Sequence, residues 1–225
     1  MTVTVPSLAA QLRRKRSEMM VSEVEAVALR LFEERGFDAV TVDDVASDAR
    51  ISVRTFYRYF PAKDDVLQVN IDRRSEALRV ALSGRPPDEA PLRSLRLALE
   101  EVVSAEDPAL LRRWIAVVAS TPSVVKAVLG GIQLKGQRVM AEFLGARLGL
   151  SSDALVPTML AAAVGGVIQA AHTQWFIHGG DLATMISDGL EILERGIGSD
   201  PATWAAGTDS PKRGRRKRAG PRAAT

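Results

Sequence analysis

The sequence contains no cysteine among its 225 residues. This absence excludes disulfide bonds, zinc sites built on thiolates and cysteine nucleophiles, and it is typical of proteins from a reducing compartment. Histidine is also scarce: His172 and His178 are the two in the chain, and they are six positions apart. That spacing does not place two ligands on one face of a helix, as a helical metal pair requires. We therefore expect no metal site.

The motifs of catalysis and export are missing as well. The sequence has no zinc-protease motif, no glycine-rich phosphate loop after a strand and no catalytic triad pattern. Its first twenty residues lack the apolar run of a signal peptide, and its longest weakly polar run, residues 154–171, is alanine-rich and contains Pro157. We predict a cytoplasmic protein with no catalytic residues, no enzymatic activity and no membrane partner.

Positive charge is concentrated at the two ends of the chain. Residues 13–16 carry four positive charges and residues 209–225 a net six, so an overall charge of +3 leaves about −7 on the remainder. Basic ends on an acidic body favour a polyanionic partner. We predict a basic flexible arm over residues 1–16 and a basic disordered tail over residues 199–225. Either these ends only solubilise the protein, or they attract phosphates non-specifically, with residues 13–16 entering a minor groove.

Between these ends the apolar residues recur at helical spacing, and no strand pattern with hairpin turns is present. A first helix is predicted over residues 17–35, ended by Gly36, and two short helices follow between residues 41 and 60. After a linker at residues 83–91, glycines 130 and 131 predict a helix break. The remaining helices are predicted at residues 63–82, 92–104, 108–120, 123–129, 132–148, 152–177 and 181–195.

The segment Val53 to Phe60 is unusual because it holds both tyrosines of the chain and two of its six phenylalanines. At about 100° per residue, Val53, Phe56 and Phe60 fall on one side of a helix, with Tyr57 at its border. The opposite, outward arc holds Arg54, Thr55, Arg58 and Tyr59. Val53 either packs inside or touches a thymine methyl group. The helix is thus predicted to be core on one face and contact surface on the other.

Two short helices joined by a tight turn, with Arg, Thr and Tyr facing outward, have the geometry of a helix-turn-helix element. Arginine binds guanine edges bidentately, and hydroxyl groups suit phosphates or bases. An ordinary amphipathic helix with a solvated basic face has the same periodicity. From the residues alone, both interpretations stay open.

Residues 17–67 resemble the N-terminal domain of TetR-type transcriptional regulators. The matching stretch is ALRLFEERGFDAVTVDDVASDARISVRTFYRYFPAKDDVL, with the Gly36-Phe37 turn and the TFYRYF segment at the family's spacing. One position departs from the family pattern, because Arg50 stands where a glycine is usual. Either the turn has a different shape, or the fold absorbs a left-handed arginine at about 1–2 kcal/mol.

The resemblance implies an all-α protein with an N-terminal three-helix helix-turn-helix domain, over residues 17–78 with the motif at 41–60. A larger helical ligand-binding and dimerisation domain then covers residues 79–198. The implied function is a ligand-responsive repressor, a homodimer on a palindromic operator. A regulator that activates, and a helical interaction protein that binds no operator, are the alternatives. The implied DNA contacts are Thr41, Arg54, Thr55, Tyr57, Arg58, Tyr59 and Lys63, with Lys63 meeting a phosphate at the start of the fourth helix.

The C-terminal half is similar to the C-terminal domain of mycofactocin-type TetR regulators, whose relatives are associated with acyl-CoA-like effectors. This similarity implies no cofactor, but a small apolar effector that is acyl-CoA-like or otherwise lipophilic. The implied pocket residues are Trp114, Met140, Phe143, Met159, His172, Trp175 and Phe176. Large aromatic residues on amphipathic helices are also typical of an ordinary core.

Small residues are frequent between positions 161 and 171, and Gly165 and Gly166 are adjacent. Because a glycine inside a helix costs about 1 kcal/mol relative to alanine, such a pair indicates the close approach of another helix. The family resemblance implies that this helix belongs to a second protomer, in a four-helix interface. A packing seam within one protomer is the alternative.

Overall fold

The structure, a computed structural model, describes residues 7–196, and it leaves out the side chains of residues 10, 14 and 122–134. The predicted tail at 199–225 lies outside the described residues. Residues 7–196 form helices and connecting turns with no strand, so the all-α prediction is confirmed. The helices are α1 (Leu8–Arg35), α2 (Val42–Asp48), α3 (Val53–Tyr59), α4 (Asp65–Ser83), α5 (Pro91–Ser104), α6 (Pro108–Ser120), α7 (Pro122–Leu148), α8 (Leu155–His178) and α9 (Leu182–Arg195).

The short helices of the N-terminal half begin and end where local chemistry directs them. Gly36 follows α1 at a φ of 84°, a left-handed conformation that glycine adopts without steric strain. Thr41 caps α2 in a reciprocal box with Asp44, and the Ser52 hydroxyl accepts a hydrogen bond from the Thr55 amide to cap α3. These caps fix two seven-residue helices that are too short to be stable by themselves.

The first helix begins at Leu8, nine residues before its predicted start. The predicted flexible arm is therefore wrong for residues 8–16, which continue α1 toward the N-terminus. This stretch contains leucine, alanine, glutamine, arginine and lysine, which are among the strongest helix formers, and it holds no glycine or proline. The density of charge at residues 13–16 obscured this propensity.

The predicted helix break at glycines 130 and 131 is also wrong, because α7 runs unbroken over 27 residues. Each glycine lowers helix stability by about 1 kcal/mol, which weakens a helix without terminating it. Helix α7 packs against both α4 and α8, and such tertiary contacts supply most of the stability of helices in proteins.

Two apolar cores are present in the described residues. The first core joins α1–α4 and also includes Trp114, Val117 and Val118 of α6. The Trp114 indole N–H donates a hydrogen bond to the carbonyl of Leu67 at 3.1 Å, so α6 is fastened to α4 inside the N-terminal half. The second core holds the rest of the helical domain and begins on α4 at Leu78. Helix α4 thus contributes to both cores.

Helix α8 is the most exposed apolar element between residues 7 and 196. It is also the one helix in that range that is long and apolar enough to cross a membrane by length and composition. Only 22% of its most apolar stretch is buried. Its exposed side chains include Leu155 at 78%, Met159 at 55% and Ile177 at 63%. The exposed face of α8 therefore has no packing partner among the described residues of the protomer, although its other face packs against α7 and α9.

Candidate nucleic-acid interface

Helix α3 is anchored by the two predicted phenylalanines. Phe56 and Phe60 are buried in the first core, and their ring centroids lie 5.1 Å apart. Val53 packs against the same core, as the inward interpretation of that residue predicts. Arg54 and Arg58 are exposed on the other side. The helix is therefore held rigidly from one face while its arginines stay accessible to a partner.

The two tyrosines differ from their predicted placement. Tyr57, predicted at the border, is 51% exposed, whereas Tyr59, predicted outward, is half-buried against the first core. The Arg58 guanidinium donates to the Tyr59 hydroxyl at 3.1 Å and lies 4.8 Å from its ring centroid. Hydrogen bonds from Arg58 and with Ser17 lower the pKa of Tyr59. Tyr59 therefore orients Arg58, and Tyr57 is the more exposed phenol.

The two threonines predicted to contact DNA serve the helix caps. Thr41 is exposed, and its hydroxyl accepts from the Asp44 amide at 3.1 Å and donates to the Asp44 carboxylate at 2.5 Å. The hydrogen bonds that the Thr41 hydroxyl and the Thr41 amide donate to the Asp44 carboxylate lower the pKa of Asp44. Thr55 is half-buried, with its hydroxyl 2.8 Å from that of Ser52. Both threonines lie at the first turn of α2 or α3, the end of each helix where backbone N–H groups point outward.

Lys63 is placed differently from the prediction. Helix α4 begins at Asp65, so Lys63 precedes it and does not occupy its first turn. Its ammonium group donates to the carbonyls of Phe37 at 2.7 Å and Val40 at 2.9 Å, and it lies 4.1 Å from the Phe37 ring centroid. Lys63 thus ties the α1–α2 turn to the start of α4. These contacts inside the protomer explain why a lysine is present at this position, and they require no contact with DNA.

Several cations of the N-terminal half are neutralised away from α3. Arg35 pairs with Asp44 at 3.7 Å, and Arg73 pairs with the buried Glu25 at 2.8 Å. Burial raises the pKa of Glu25, and Arg73 partly offsets that effect. Arg30 pairs with Glu34 and Asp48. By contrast, Arg54 forms no ion pair with any described residue, which leaves its positive charge available on the outward face.

The turn between α2 and α3 has the shape that the family's glycine provides, with Arg50 in its place. Arg50 has a φ of 56° and is the one non-glycine residue with positive φ between residues 7 and 196. Its amide donates to the Ser47 carbonyl at 3.1 Å, and that of Ile51 donates to the Ala46 carbonyl at 2.9 Å. These two bonds form a Schellman cap. The fold therefore absorbs the left-handed arginine without a change of turn.

The basic residues 13–16 lie close to α3, because the Ser17–Tyr59 hydrogen bond joins α1 to the end of that helix. They belong to a helix, and a helix with side chains is about 10–12 Å wide, whereas the minor groove of B-DNA is about 6 Å wide. The predicted entry into a minor groove does not fit this conformation. Exposed cations on a helix suit the phosphates along the groove edge instead.

The seven predicted pocket residues are not brought together. Trp114 lies in the first core, Met140 and Trp175 lie in the second, and Met159 and Phe176 are exposed. Phe143 packs under Arg147 at 5.0 Å, and His172 joins a polar cluster. The effector pocket therefore stays a prediction, because amphipathic spacing shows which side chains point inward but not whether they enclose a space.

None of the seven lines either of two clefts that the described residues form at the surface. The larger, of about 540 Å³, lies between the α1–α2 turn and the end of α6. The smaller, of about 260 Å³, is apolar and lies between the start of α5 and the end of α7. Both are open to the surface.

A partly buried polar cluster connects α4 with α8. The Arg74 guanidinium lies 2.6 Å from the Glu106 carboxylate and donates to His172 Nε2 at 3.1 Å, while His172 Nδ1 donates to the Ile168 carbonyl at 2.8 Å. Because arginine has no acceptor, His172 must be neutral with its proton on Nδ1. Burial, and secondly Arg74, lowers the pKa of His172 to about 4. Sequence analysis missed Arg74, although it falls four residues before the buried Leu78 on the same face.

The adjacent glycines of α8 face different surroundings. A side chain at Gly165 would meet the Gln137 amide at 3.2 Å, so Gly165 belongs to a seam with α7. Gly166 has no atom within 4 Å of that position and faces outward. Gly189 of α9 approaches Val167, closing a second seam. The seam within one protomer is thus observed at Gly165, and Gly166 remains open to a partner.

Two capped short helices, an aromatic anchor and an outward face of unpaired cations define a helix-turn-helix DNA-binding protein. The sequence agrees with this class. Residues 26–69 match the family model for bacterial regulatory proteins of the tetR family, and residues 88–198 match that for the MftR C-terminal domain. These two spans together cover well over half of the chain. The protein belongs to the TetR family of transcriptional regulators.

Relatives and solved structures agree in fold. TcmR of Streptomyces glaucescens, an HTH-type transcriptional regulator, is 28% identical over 182 residues, which cover 76% of this chain and 78% of TcmR. The repressor FadR of Thermus thermophilus, solved with lauroyl-CoA, superposes with a TM-score of 0.52 at 22% identity, covering 79% of this chain and 94% of FadR. The fatty acid degradation regulator FadR of Bacillus halodurans gives 0.58 at 16% identity, covering 79% and 96%.

Proposed function

We propose that the protein is a homodimeric repressor that binds a palindromic operator and releases it when a small lipophilic molecule binds the helical domain. The observation that carries the dimer is the uncovered apolar face of α8. This face would be buried by a second copy, and it places two identical DNA-binding halves in one symmetric particle.

The α8 face has the features of a helix-packing surface. Helix α8 contains no Asp, Glu, Lys or Arg, and its exposed residues recur at spacings of three and four from Leu155 to Ile177. At about 1.5 Å per residue, this stripe is about 33 Å long. Gly166 lies in its centre with open space above it, which allows a partner helix to approach closely. A two-fold axis there makes the contact self-complementary.

A symmetric dimer suits the chemistry of DNA reading. Two copies of α3, related by a two-fold axis and separated by about 34 Å, face successive major grooves and read a palindrome. Arg54 and Arg58, with Tyr57 beside them, are the side chains we assign to base edges. Thr41, Thr55 and residues 13–16 are assigned to phosphates. Occupation of an operator by such a dimer hinders transcription of the adjacent gene.

The dimer is tested by a charge placed at Gly166. Gly166→Glu meets no atom within the protomer but puts a carboxylate into the proposed interface, so it should yield folded monomers in analytical ultracentrifugation. Gly136→Glu is the matched control, since Gly136 lies on α7 and also has open space at its Cβ position. DNA binding by both variants is measured on a duplex that the wild-type protein enriches from a random-sequence pool. Unchanged dimers in Gly166→Glu would refute the α8 interface.

The effector is proposed to be an acyl-CoA-like or other lipophilic compound. Support comes from the similarity in fold to a FadR solved with lauroyl-CoA and from the predominantly apolar helical domain. An effector that binds the DNA-free conformation more tightly than the DNA-bound conformation typically supplies 1–3 kcal/mol of coupling, equal to about 5–150-fold in DNA affinity. Lauroyl-CoA titrated into the protein–duplex complex should release the duplex, whereas free coenzyme A should not. No release by lauroyl-CoA, lauric acid or a ligand co-purified with the protein would contradict a lipophilic effector.

We further propose that the protein acts in the cytoplasm, with DNA and its second copy as macromolecular partners. The dimer then accounts for the apolar surface of α8 without a bilayer. Recovery of the full chain in the membrane fraction of lysed cells would contradict this.

Activation in place of repression would appear as lower reporter expression after deletion of the gene. A chain that enriches no duplex at low salt would instead be an interaction protein.

A further inference from the structure

The α2–α3 turn holds an arginine whose presence the folded protomer does not explain. Arg50 is exposed, and its side chain forms no hydrogen bond or ion pair with any described residue. The nearest acid along the chain, Asp48, is already engaged by Arg30. Nothing in the described part of the protomer therefore compensates for the side chain.

The backbone at this position opposes any side chain with a Cβ atom. At a φ of 56° an L-residue brings its Cβ close to the neighbouring carbonyl, an approach that glycine avoids. The cap itself needs only the amide hydrogen bonds of Arg50 and Ile51, which glycine at position 50 would also form. The turn would thus be more stable with glycine, and the arginine has to gain its compensation outside the protomer.

The location of Arg50 indicates what that compensation is. The residue lies two positions before the Ser52 cap of α3 and four before Arg54, which like Arg58 forms no ion pair with any described residue. The cations that surround the helix-turn-helix on other faces are paired with carboxylates or carbonyls, as Arg35 and Lys63 are. The free positive charge is therefore concentrated on the DNA-facing element.

We propose that Arg50 is a phosphate contact of the DNA interface, held at a backbone position where glycine would give a more stable fold. The contact positions the helix-turn-helix on the duplex and carries no base specificity. This inference rests on the DNA-binding function and adds to it a residue that the family pattern does not supply. It predicts that stability and DNA affinity change in opposite directions at one position.

Three substitutions separate charge from backbone strain. Arg50→Gly removes both, Arg50→Gln removes the charge and keeps the strain, and Arg50→Lys keeps both. Arg50→Gly alone should raise the midpoint of thermal unfolding, by about 2–8 °C. Arg50→Gly and Arg50→Gln should both reduce the steepness of log affinity against log salt, by about 0.9 for each phosphate that the variant no longer neutralises. Arg50→Lys should match the wild type in both measurements.

The DNA probes are the duplex enriched from a random pool and a scrambled duplex of the same length. Arg138→Gln is the charge-matched control, because Arg138 is an exposed residue of α7 remote from the helix-turn-helix, and its slope should equal that of the wild type. Equal slopes for Arg50→Gln and wild type would overturn the phosphate contact. An unfolding midpoint of Arg50→Gly at or below the wild type would overturn the strain. A wild-type protein that enriches no duplex would refute the DNA-binding function itself.

Discussion

Helices α3 and α8 both hold one face in a core and leave the other uncovered, but the uncovered faces have opposite chemistry. Helix α3 is anchored by Phe56 and presents arginines, whereas α8 is anchored by Trp175 and presents Leu, Met, Phe and Ile. An unpaired cationic face gains free energy by releasing counterions from a polyanion, and an apolar face gains it by leaving water. Under the proposed function, nucleic acid covers the outward face of α3 and a second copy of the protein covers that of α8.

The largest expected effect comes from the two buried tryptophans, which test whether the core that anchors α3 is separate from the core that anchors α8. Trp114→Ala should destabilise the protein by about 3–5 kcal/mol, because it removes an aromatic side chain from the first core. Hydrogen exchange should show the loss of protection in α1–α4, although Trp114 belongs to α6. Trp175→Ala is the matched variant, equally buried in the second core, and should expose amides of α7 and α8. Loss of protection in the same helices for both variants would show that the cores are not distinct.

Lys63 tests where the DNA-facing surface ends. Lys63→Met removes charged hydrogen bonds to two carbonyls and should destabilise the protein by about 1.5–3 kcal/mol, measured by urea denaturation. The salt slope of DNA binding should not change, because the ammonium group is engaged inside the protomer. Lys63→Arg keeps the charge as a control. A lower salt slope at unchanged stability would instead restore Lys63 to the phosphate contacts.

The partly buried cluster of Arg74, Glu106 and His172 should make stability depend on pH. His172 has a pKa of about 4 in the folded protein and an ordinary value of 6.5, so the unfolded chain binds more protons between these values. Its contribution is complete above pH 6.5 and is lost as the pH falls toward 4, at about 1.4 kcal/mol per pH unit.

The charged groups that face His172 are Arg74 and, through it, Glu106, whose pKa is raised by burial and which acts in the opposite direction. The difference in unfolding free energy between wild type and His172→Gln isolates the histidine. This difference should favour the variant increasingly as the solution becomes more acidic. A constant difference between pH 7 and 4.5 would show that His172 is not held neutral.

The smallest expected effect distinguishes the two tyrosines of α3. Tyr57→Phe removes an exposed hydroxyl and should lower affinity for the enriched duplex by about 1 kcal/mol while stability stays unchanged. Tyr59→Phe removes the hydroxyl that bonds Arg58 and Ser17, so it should lower both affinity and stability. Fluorescence anisotropy and thermal unfolding measure the two effects. A stability loss in Tyr57→Phe alone would reverse the assignment.

The anchor of α3 could be predicted because it depends on local rules. Helical spacing placed Phe56 and Phe60 inward, and two short helices were predicted between residues 41 and 60, where Thr41 and Ser52 form the caps. The placement of Lys63 could not be predicted this way, since its partners lie 26 and 23 residues earlier in the chain. The exchange between Tyr57 and Tyr59 likewise depends on Ser17 of another helix.

The helical domain was predicted less well for a related reason. The family resemblance named Met140, Trp114 and Trp175 as pocket residues, with an ordinary core as the alternative for the tryptophans, and all three are buried. Which core each one joins, and whether the side chains enclose a cavity, depends on how the helices cross, which no local pattern encodes. Glycine was misinterpreted in α7 because its intrinsic cost was weighed without the packing that offsets it.

The position of α6 has a consequence for exchanging parts between relatives. Since Trp114, Val117 and Val118 complete the core beneath the helix-turn-helix, the DNA-reading half is discontinuous in sequence. A chimera joined at the linker of residues 83–91 would place a foreign α6 against this protein's α1 and α4. A chimera that gains a new effector response and keeps this protein's operator must therefore retain this protein's inward residues of α6. Otherwise the residues of α1 and α4 that face α6 must be exchanged together with it.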